Sequence, residues 1–576
     1  MIAQETFFSD PELLRDLWQK LPRMTPQDRT CSTQMHRSHD LLSPQALPKD
    51  PDSAVIVAVI DHAIPFAHRL LTVGPGHYSR AASTWVMDAP QVLPREDIPF
   101  GQEYRGAELD VLRGAGGPHP LDDDAIYRKL CLLDPARPTR WLMRAASHGA
   151  GVAGTAGGHD PLDPKGRARP LLAVGLPDWA LADTTGAAMP MLMQAAVIFI
   201  ISRARMLARQ ISHAAGQQIR PPLVVNISLG LTAGSRDGHS LIERMQDALS
   251  DGPVPELGQV HFVLASGNSR QQQLHAVLTP GQQIGWQLLP DDRTPSELQV
   301  WSAPLPVGSA AIGLGVAMPG RGIVRTTFTA PQGPGTQVAR LRDGQGRELA
   351  RLTLQAMERG QKLRQCLSLI APATVTEEAG KVVAPPGTWR IELLPMSPGP
   401  CELVIERDDR LIGFPRAGRQ SRLIERGYSP RDASGQWKGR DPDPPEFMIR
   451  RDGTLNSYAW GGWQIRCGGV FAGDLGDPGY GSLLGGGEAG DAVTPSDRGP
   501  ALAGMTVPGN RGIAMQEMGG TSIAAPRLTR WLADRMAMAD PPRTRAEVIA
   551  AIRAAARTAR PVPYLDPRLP WERRDS

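Results

Sequence analysis

The sequence predicts a doubly wound α/β domain with a mostly parallel sheet, interrupted by an all-β sandwich. Three observations carry that expectation. Continuous apolar, β-branched runs such as AVIVAVI (Ala54–Ile60) and LVVNISL (Leu223–Leu229) suit strands buried on both faces of a parallel sheet. Helical windows separate those runs, and strand–helix–strand alternation argues for a parallel sheet covered on both sides. Past about Ser269 the texture changes to short strands broken by Gly, Pro and Asp turns, and near Gly453 the first texture returns.

In chain order, residues 1–50 are polar and Pro-punctuated, with one amphipathic helix expected near Asp10–Lys20. Residues 51–273 hold four buried strands: Ala54–Ile60, PLLAVGL (Pro170–Leu176), Leu223–Leu229 and VHFVLA (Val260–Ala265). Helices are expected over Ala188–Ala214 and Ser240–Leu249. Residues 274–452 read as the sandwich, in segments such as GQQIGWQLLP, SELQVWSA and GTWRIELLP, followed by a Pro/Arg-rich connector. Residues 453–540 resume the α/β domain. Residues 541–576 add a helix (TRAEVIAAIRAAARTAR) and a Pro-rich tail. The sandwich is therefore an insertion within the α/β domain.

Composition bounds the function. The 576 residues are too many for one core. Lys and Arg number 63 against 59 Asp and Glu, an excess of 4, too small to imply nucleic acid or an anionic membrane as partner. The 5 cysteines are scattered and lack a Cys-x-x-Cys, so neither a disulfide framework nor a zinc site is expected. The start of the chain lacks a signal-peptide pattern. The most apolar window, Ala188–Ile201, is too short to span a bilayer and is interrupted by Pro190 and Gln194. These features favour a cytoplasmic protein.

Four residues stand where chemistry gathers. Asp61 ends the first buried strand, and in such sheets ligands bind at the carboxyl ends of strands. Taken alone it is either a capping Asp or a carboxylate that orients a histidine. His148 opens a Gly/Ala-rich helix, SHGAGVAGTAGG, which allows close packing and suits a general base, although a lone His is more often structural. Asn268 follows a buried strand and is either a turn residue or an oxyanion donor. Ser522, in GGTSIAAP, is either a helix N-cap or a nucleophile placed at a helix N-terminus.

The order Asp…His…Asn…Ser and the contexts VAVIDHAI, HGAGVAG, ASGN and GTSIAAP resemble the subtilisin-like serine proteases. VVNISLG, SDRGP (Ser496–Pro500) and VPG (Val507–Gly509) are similar to further segments of that family, and inserted jelly-roll-like domains occur in some bacterial members. The resemblance covers roughly residues 54–270 and 455–537. It implies Ser522 as nucleophile, His148 as general base and acid, Asp61 as the residue that orients His148, and Asn268 with the Ser522 N–H as the oxyanion hole. It further implies that Ser228, Leu229 and Gly230 add to an extended peptide substrate, and that Ala265, Ser266 and Gly267 line the pocket before the scissile bond. Those wall residues are small, which suggests an open pocket. The chain departs from the family at Asp61-His62-Ala63, where Asp-Thr/Ser-Gly is usual, and at His148-Gly149-Ala150-Gly151, where His-Gly-Thr-His is usual. No cofactor is implied, and no compact acidic loop marks a calcium site, which leaves structural calcium open. The implied activity is serine endopeptidase. The alternatives are a regulatory or peptide-binding protein on the same scaffold, or a latent protease activated by a regulatory partner through the sandwich.

Overall fold

The computed structural model describes residues 35–133, 141–182, 188–408, 418–474, 476–485, 488–501, 503–512, 514–557 and 561–572. The helix expected near Asp10–Lys20 lies outside the described residues. An eight-stranded sheet runs in the spatial order Ala492–Asp497, Ile465–Phe471, Val260–Ala265, Leu223–Ile227, Ile56–His62, Leu171–Leu176, Ala81–Val86, Gln102–Arg105. All neighbours pair in parallel except the last two, which form an antiparallel edge. Strand order reverses at Ile56–His62. This strand therefore marks the switch point, where crevices open beyond the carboxyl ends of strands.

The Ile56–His62 strand also shows why the sheet is doubly wound. Ile56, Ala58 and Ile60 pack with helix Met189–Ala215, while Val57 and Val59 join helices His148–Gly157 and Thr521–Met536. Alternate side chains point to opposite faces, so a strand apolar at every position needs a layer on each side. Helix Met189–Ala215 is 27 residues long and, by length and composition, long and apolar enough to cross a membrane, which the Ala188–Ile201 window did not suggest. Its most apolar stretch is 67% buried against the sheet and neighbouring helix. Cys131 is disulfide-bonded, which corrects the cysteine expectation; Cys366, Cys401 and Cys467 are free and buried.

Between Ala265 and Ile465 the chain builds two antiparallel sheets face to face. One contains Gln283–Leu288 and Gly387–Leu393, the other Ser296–Ser302, Glu348–Arg359 and Lys362–Ala371. Trp286 and Trp389 meet edge to face in their shared core, ring centroids 5.7 Å apart. Each buried indole N–H is satisfied, by Ser421 Oγ at 3.0 Å and by the Pro385 carbonyl at 2.9 Å.

The sandwich grips the loop that follows the Leu223–Ile227 strand. Ala233 packs with Trp301, Cys366 and Val404, and Asp237 pairs with Arg359 at 2.6 Å and Arg364 at 2.8 Å. Thr232 Oγ1 donates to the Ile405 carbonyl at 2.8 Å, and the adjacent Glu406 carboxyl accepts the Arg407 N–H at 2.7 Å. Burial pushes the Glu406 carboxyl up from 4.5 to about 8.

This gives the grip a pH signature. Between 4.5 and about 8 the folded chain holds a proton on Glu406 that the unfolded chain releases. Folding stability therefore falls as pH rises through that window. Glu406→Gln has no proton to lose, so the melting temperature of wild type minus that of the variant should drop between pH 5 and pH 8. A difference that stays constant across that range rejects this role for Glu406.

Candidate active site

Asp61 sits at the end of the switch-point strand with no solvent exposure. Its carboxylate accepts from His148 Nδ1, at 2.8 Å to Oδ1 and 3.0 Å to Oδ2. Burial by itself would raise the Asp61 pKa. The two adjacent imidazoles, His148 and then His62, outweigh it and hold the carboxyl far below its ordinary range. An ionised carboxylate only accepts, so the His148 proton lies on Nδ1 and the lone pair is on Nε2.

His148 owes its place to local chemistry. Ser147 caps its helix, accepting the Ala150 N–H at 3.1 Å. Gly149 follows because a Cβ there would lie 2.0 Å from the His62 carbonyl oxygen. The helix can therefore approach the Asp61 strand only with glycine at that position. Ala63, where the resemblance expects glycine, takes φ 47°. That left-handed conformation costs a residue with a Cβ about 1 kcal/mol.

Ser522 lies in the first turn of helix Thr521–Met536, whose cap is Gly520 rather than Ser522. Its Oγ donates to the Ser228 carbonyl at 3.1 Å, and Ser228 Oγ donates back to the Ser522 carbonyl at 3.0 Å. Pro526 makes the second bond available. Proline four residues on brings no N–H to the Ser522 carbonyl, and the Ser228 hydroxyl takes that place. Among the described hydrogen bonds, none joins Ser522 to His148. The two helices are nonetheless fastened together, with Arg530 Nε donating to the Thr155 carbonyl at 2.8 Å.

Asn268 reaches the same helix N-terminus. Its Oδ1 accepts both the Thr521 N–H and the Thr521 hydroxyl at 3.0 Å. The N–H must meet an acceptor, and this fixes the carboxamide so that Nδ2 is left as a donor. Asn268 is exposed, and a Cβ on Gly520, which has φ 100°, would lie 3.0 Å from that Nδ2. The helix N-terminus adds positive potential at this spot.

The six expected cleft residues lie on two segments with a third between them. The Asn456 N–H donates to the Ser266 carbonyl at 2.8 Å, and Ser457 N–H to the Leu231 carbonyl at 3.0 Å. Asn456 Nδ2 reaches the carbonyls of Leu229 at 3.2 Å and Ala265 at 3.3 Å. Gly230 lies directly against the Asn456 carboxamide. The space between Ser228–Gly230 and Ala265–Gly267 is therefore bridged by a side chain, whereas small wall residues suggested an open pocket.

Sequence reasoning missed Asn456 and a second group, the loop around Tyr480. Tyr480 Oη accepts the Gly520 N–H at 2.9 Å and donates to the Asp497 carboxylate. Two residues on, Ser482 N–H donates to the Gly267 carbonyl at 2.8 Å, and Ser482 Oγ accepts the Ser269 N–H at 3.0 Å. One short loop thus braces both Gly520 and the Asn268 turn. Its only signal in the sequence is DPGYGS, which reads as a turn. Among the described residues, Asp61, His62 and His148 form a group able to hold a metal ion, with ligand atoms within 4.8 Å of one another.

No family model and no curated protein matches the chain. Solved structures do. The Clostridium perfringens CspB protease superposes with a TM-score of 0.56 at 15% identity, over 92% of this chain and 93% of that one. A cold adapted subtilisin-like serine proteinase matches at 11% identity and TM-score 0.30, over 88% of this chain and 83% of its own. MycP1 from the ESX-1 type VII secretion system matches at 13% and 0.29, over 93% and 88%. With its switch-point sheet, its inserted sandwich and a likeness to the CspB protease along nearly the whole of both chains, the protein has a subtilisin-like fold.

Proposed function

We propose that the protein is a serine endopeptidase. One observation carries the reading: the buried, ionised Asp61 holds His148 by Nδ1, on a helix fastened to the one whose first turn bears Ser522 and whose N-terminus Asn268 contacts. Ser522 turns from the Ser228 carbonyl to His148, gives up its proton to Nε2 and attacks a peptide carbonyl. Asn268 Nδ2 and the Ser522 N–H receive the oxyanion. His148 then protonates the leaving amine, and water hydrolyses the acyl-enzyme by the same steps. Ser228–Gly230 serve as the edge to which an extended peptide adds as a strand. No step needs a cofactor. The substrate is a protein or peptide.

A specific observation favours a latent form of this enzyme over one that is always active. The chain itself engages both the Ser522 hydroxyl and the space between the cleft walls. In this reading a regulatory partner acts through the sandwich, which grips the loop next to Ser228–Gly230. A disulfide persists in oxidising surroundings, so Cys131 removes the cysteine argument for a cytoplasmic location.

A fluorophosphonate probe should label wild type and leave Ser522→Ala unlabelled. Asn268→Ala, checked as folded by near-ultraviolet circular dichroism because it also loses the bonds from Thr521, should slow labelling by about 100- to 1000-fold. Labelling of folded Ser522→Ala, or Asn268→Ala reacting at the wild-type rate, rejects the assignment. Asn456→Ala should shift peptide cleavage toward larger side chains before the scissile bond. An unchanged ratio of kcat/KM between alanine and phenylalanine substrates would show that Asn456 does not limit the pocket.

A further inference from the structure

His62 stands beside the oriented base. Its Nδ1 lies 3.3 Å from Asp61 Oδ1, its side chain is 12% exposed, and its ring stacks on His148 with centroids 5.7 Å apart and planes 20° from parallel. Asp61 Oδ1 also lies 2.8 Å from His148 Nδ1. Two imidazole nitrogens therefore converge on one carboxylate oxygen. The three ligand atoms fall within 4.8 Å of one another, and 25% of the His148 side chain is exposed.

A tetrahedral zinc ion binds imidazole nitrogen at about 2.0–2.1 Å and carboxylate oxygen at about 2.0–2.2 Å, which puts neighbouring ligand atoms about 3.3 Å apart. Of the separations around Asp61 Oδ1, that to His62 Nδ1, 3.3 Å, matches this spacing, and that to His148 Nδ1, 2.8 Å, is shorter and would open as the ion enters. We propose that Asp61, His62 and His148 form an inhibitory zinc site, with the fourth position open to water. Two neutral imidazoles and a carboxylate are a donor set that suits zinc and disfavours magnesium or calcium, which take oxygen ligands. His62 is the residue that completes it, at the position where the family resemblance expects Thr or Ser.

The consequence for His148 follows from its tautomers. In the metal-free site the proton is on Nδ1 and the lone pair on Nε2. Zinc takes the Nδ1 lone pair, so the proton of a neutral ring moves through solvent to Nε2. A protonated ring instead releases one proton to solvent. In both cases Nε2 carries a hydrogen and cannot accept one from Ser522. Only this consequence rests on the proposed proteolytic role; the metal site stands on its ligands alone.

The test separates the two. Folded Ser522→Ala, which retains all three ligands, is titrated with Co2+ and read by visible absorption, and the Co2+ is then displaced by Zn2+. One ion per chain is expected. Adding His62→Ala should weaken Zn2+ affinity by at least about tenfold. His62→Asn serves as a second variant, with near-ultraviolet circular dichroism reporting the fold of each. Absence of binding to Ser522→Ala, or equal affinity in folded His62 variants, overturns the site. In wild type, Zn2+ should slow fluorophosphonate labelling, and EDTA should restore it. Labelling unmoved by bound Zn2+ overturns the inhibition. A wild type that never labels, alongside a chain that binds Co2+ through His62, would retain the site and reject the protease reading.

Discussion

The Asp61 carboxylate is the constraint around which the site is arranged. A charge with no solvent exposure is costly unless groups that favour it surround it. Here it collects the His62 N–H at 2.8 Å and two imidazoles. Those needs dictate the surroundings. The His148 helix must come close, and so requires Gly149. The chain must reverse at once after His62, which forces Ala63 into a left-handed turn. The strand carrying Asp61 must be central, so that layers on both faces keep water away. The Asp61–His148 pair and the fold's switch point coincide because the same strand end holds both.

Much of this was legible in the sequence for physical reasons. The parallel strands announce themselves because burial on both faces demands apolar residues at every position, as at Ala54–Ile60. Asp61, His148, Asn268 and Ser522 stand out because each follows a strand or opens a helix. Asn456 and Tyr480 do not. Asn456 acquires its position only when the chain returns from the inserted sandwich and threads between Leu229 and Ala265. Tyr480 acts on Gly520 from a loop that reads as an ordinary turn. Both are consequences of tertiary closure, and no local period or spacing encodes them. The capping question at Ser522 was likewise undecidable locally, since a serine before a helical run suits either role. Gly520 takes the cap because its φ of 100° is open to glycine, and this leaves the Ser522 hydroxyl for other partners.

The sandwich is more than a neighbour. Its contacts concentrate on residues 232–237, just beyond the expected edge for substrate, and combine an apolar patch, an arginine–aspartate cluster and the buried Glu406. Movement of the insertion would therefore be felt first at one wall of the cleft. The other wall is tied to Tyr480 and Ser482, and through them to Gly520. The two walls thus meet at the Ser522 helix, through Ser228 on one side and Gly520 on the other, with Asn456 as a cross-member between them.

Pro526 gives the last link. By removing one helical hydrogen bond it opens the Ser522 carbonyl to the Ser228 hydroxyl, and the exchange is returned by the Ser522 hydroxyl on the Ser228 carbonyl. On the proteolytic reading that carbonyl has two suitors. A peptide laid along the wall offers it an N–H, and the resting nucleophile offers it an O–H. The arriving chain competes for the acceptor on which the nucleophile rests, so occupancy of the groove and the readiness of Ser522 become a single equilibrium.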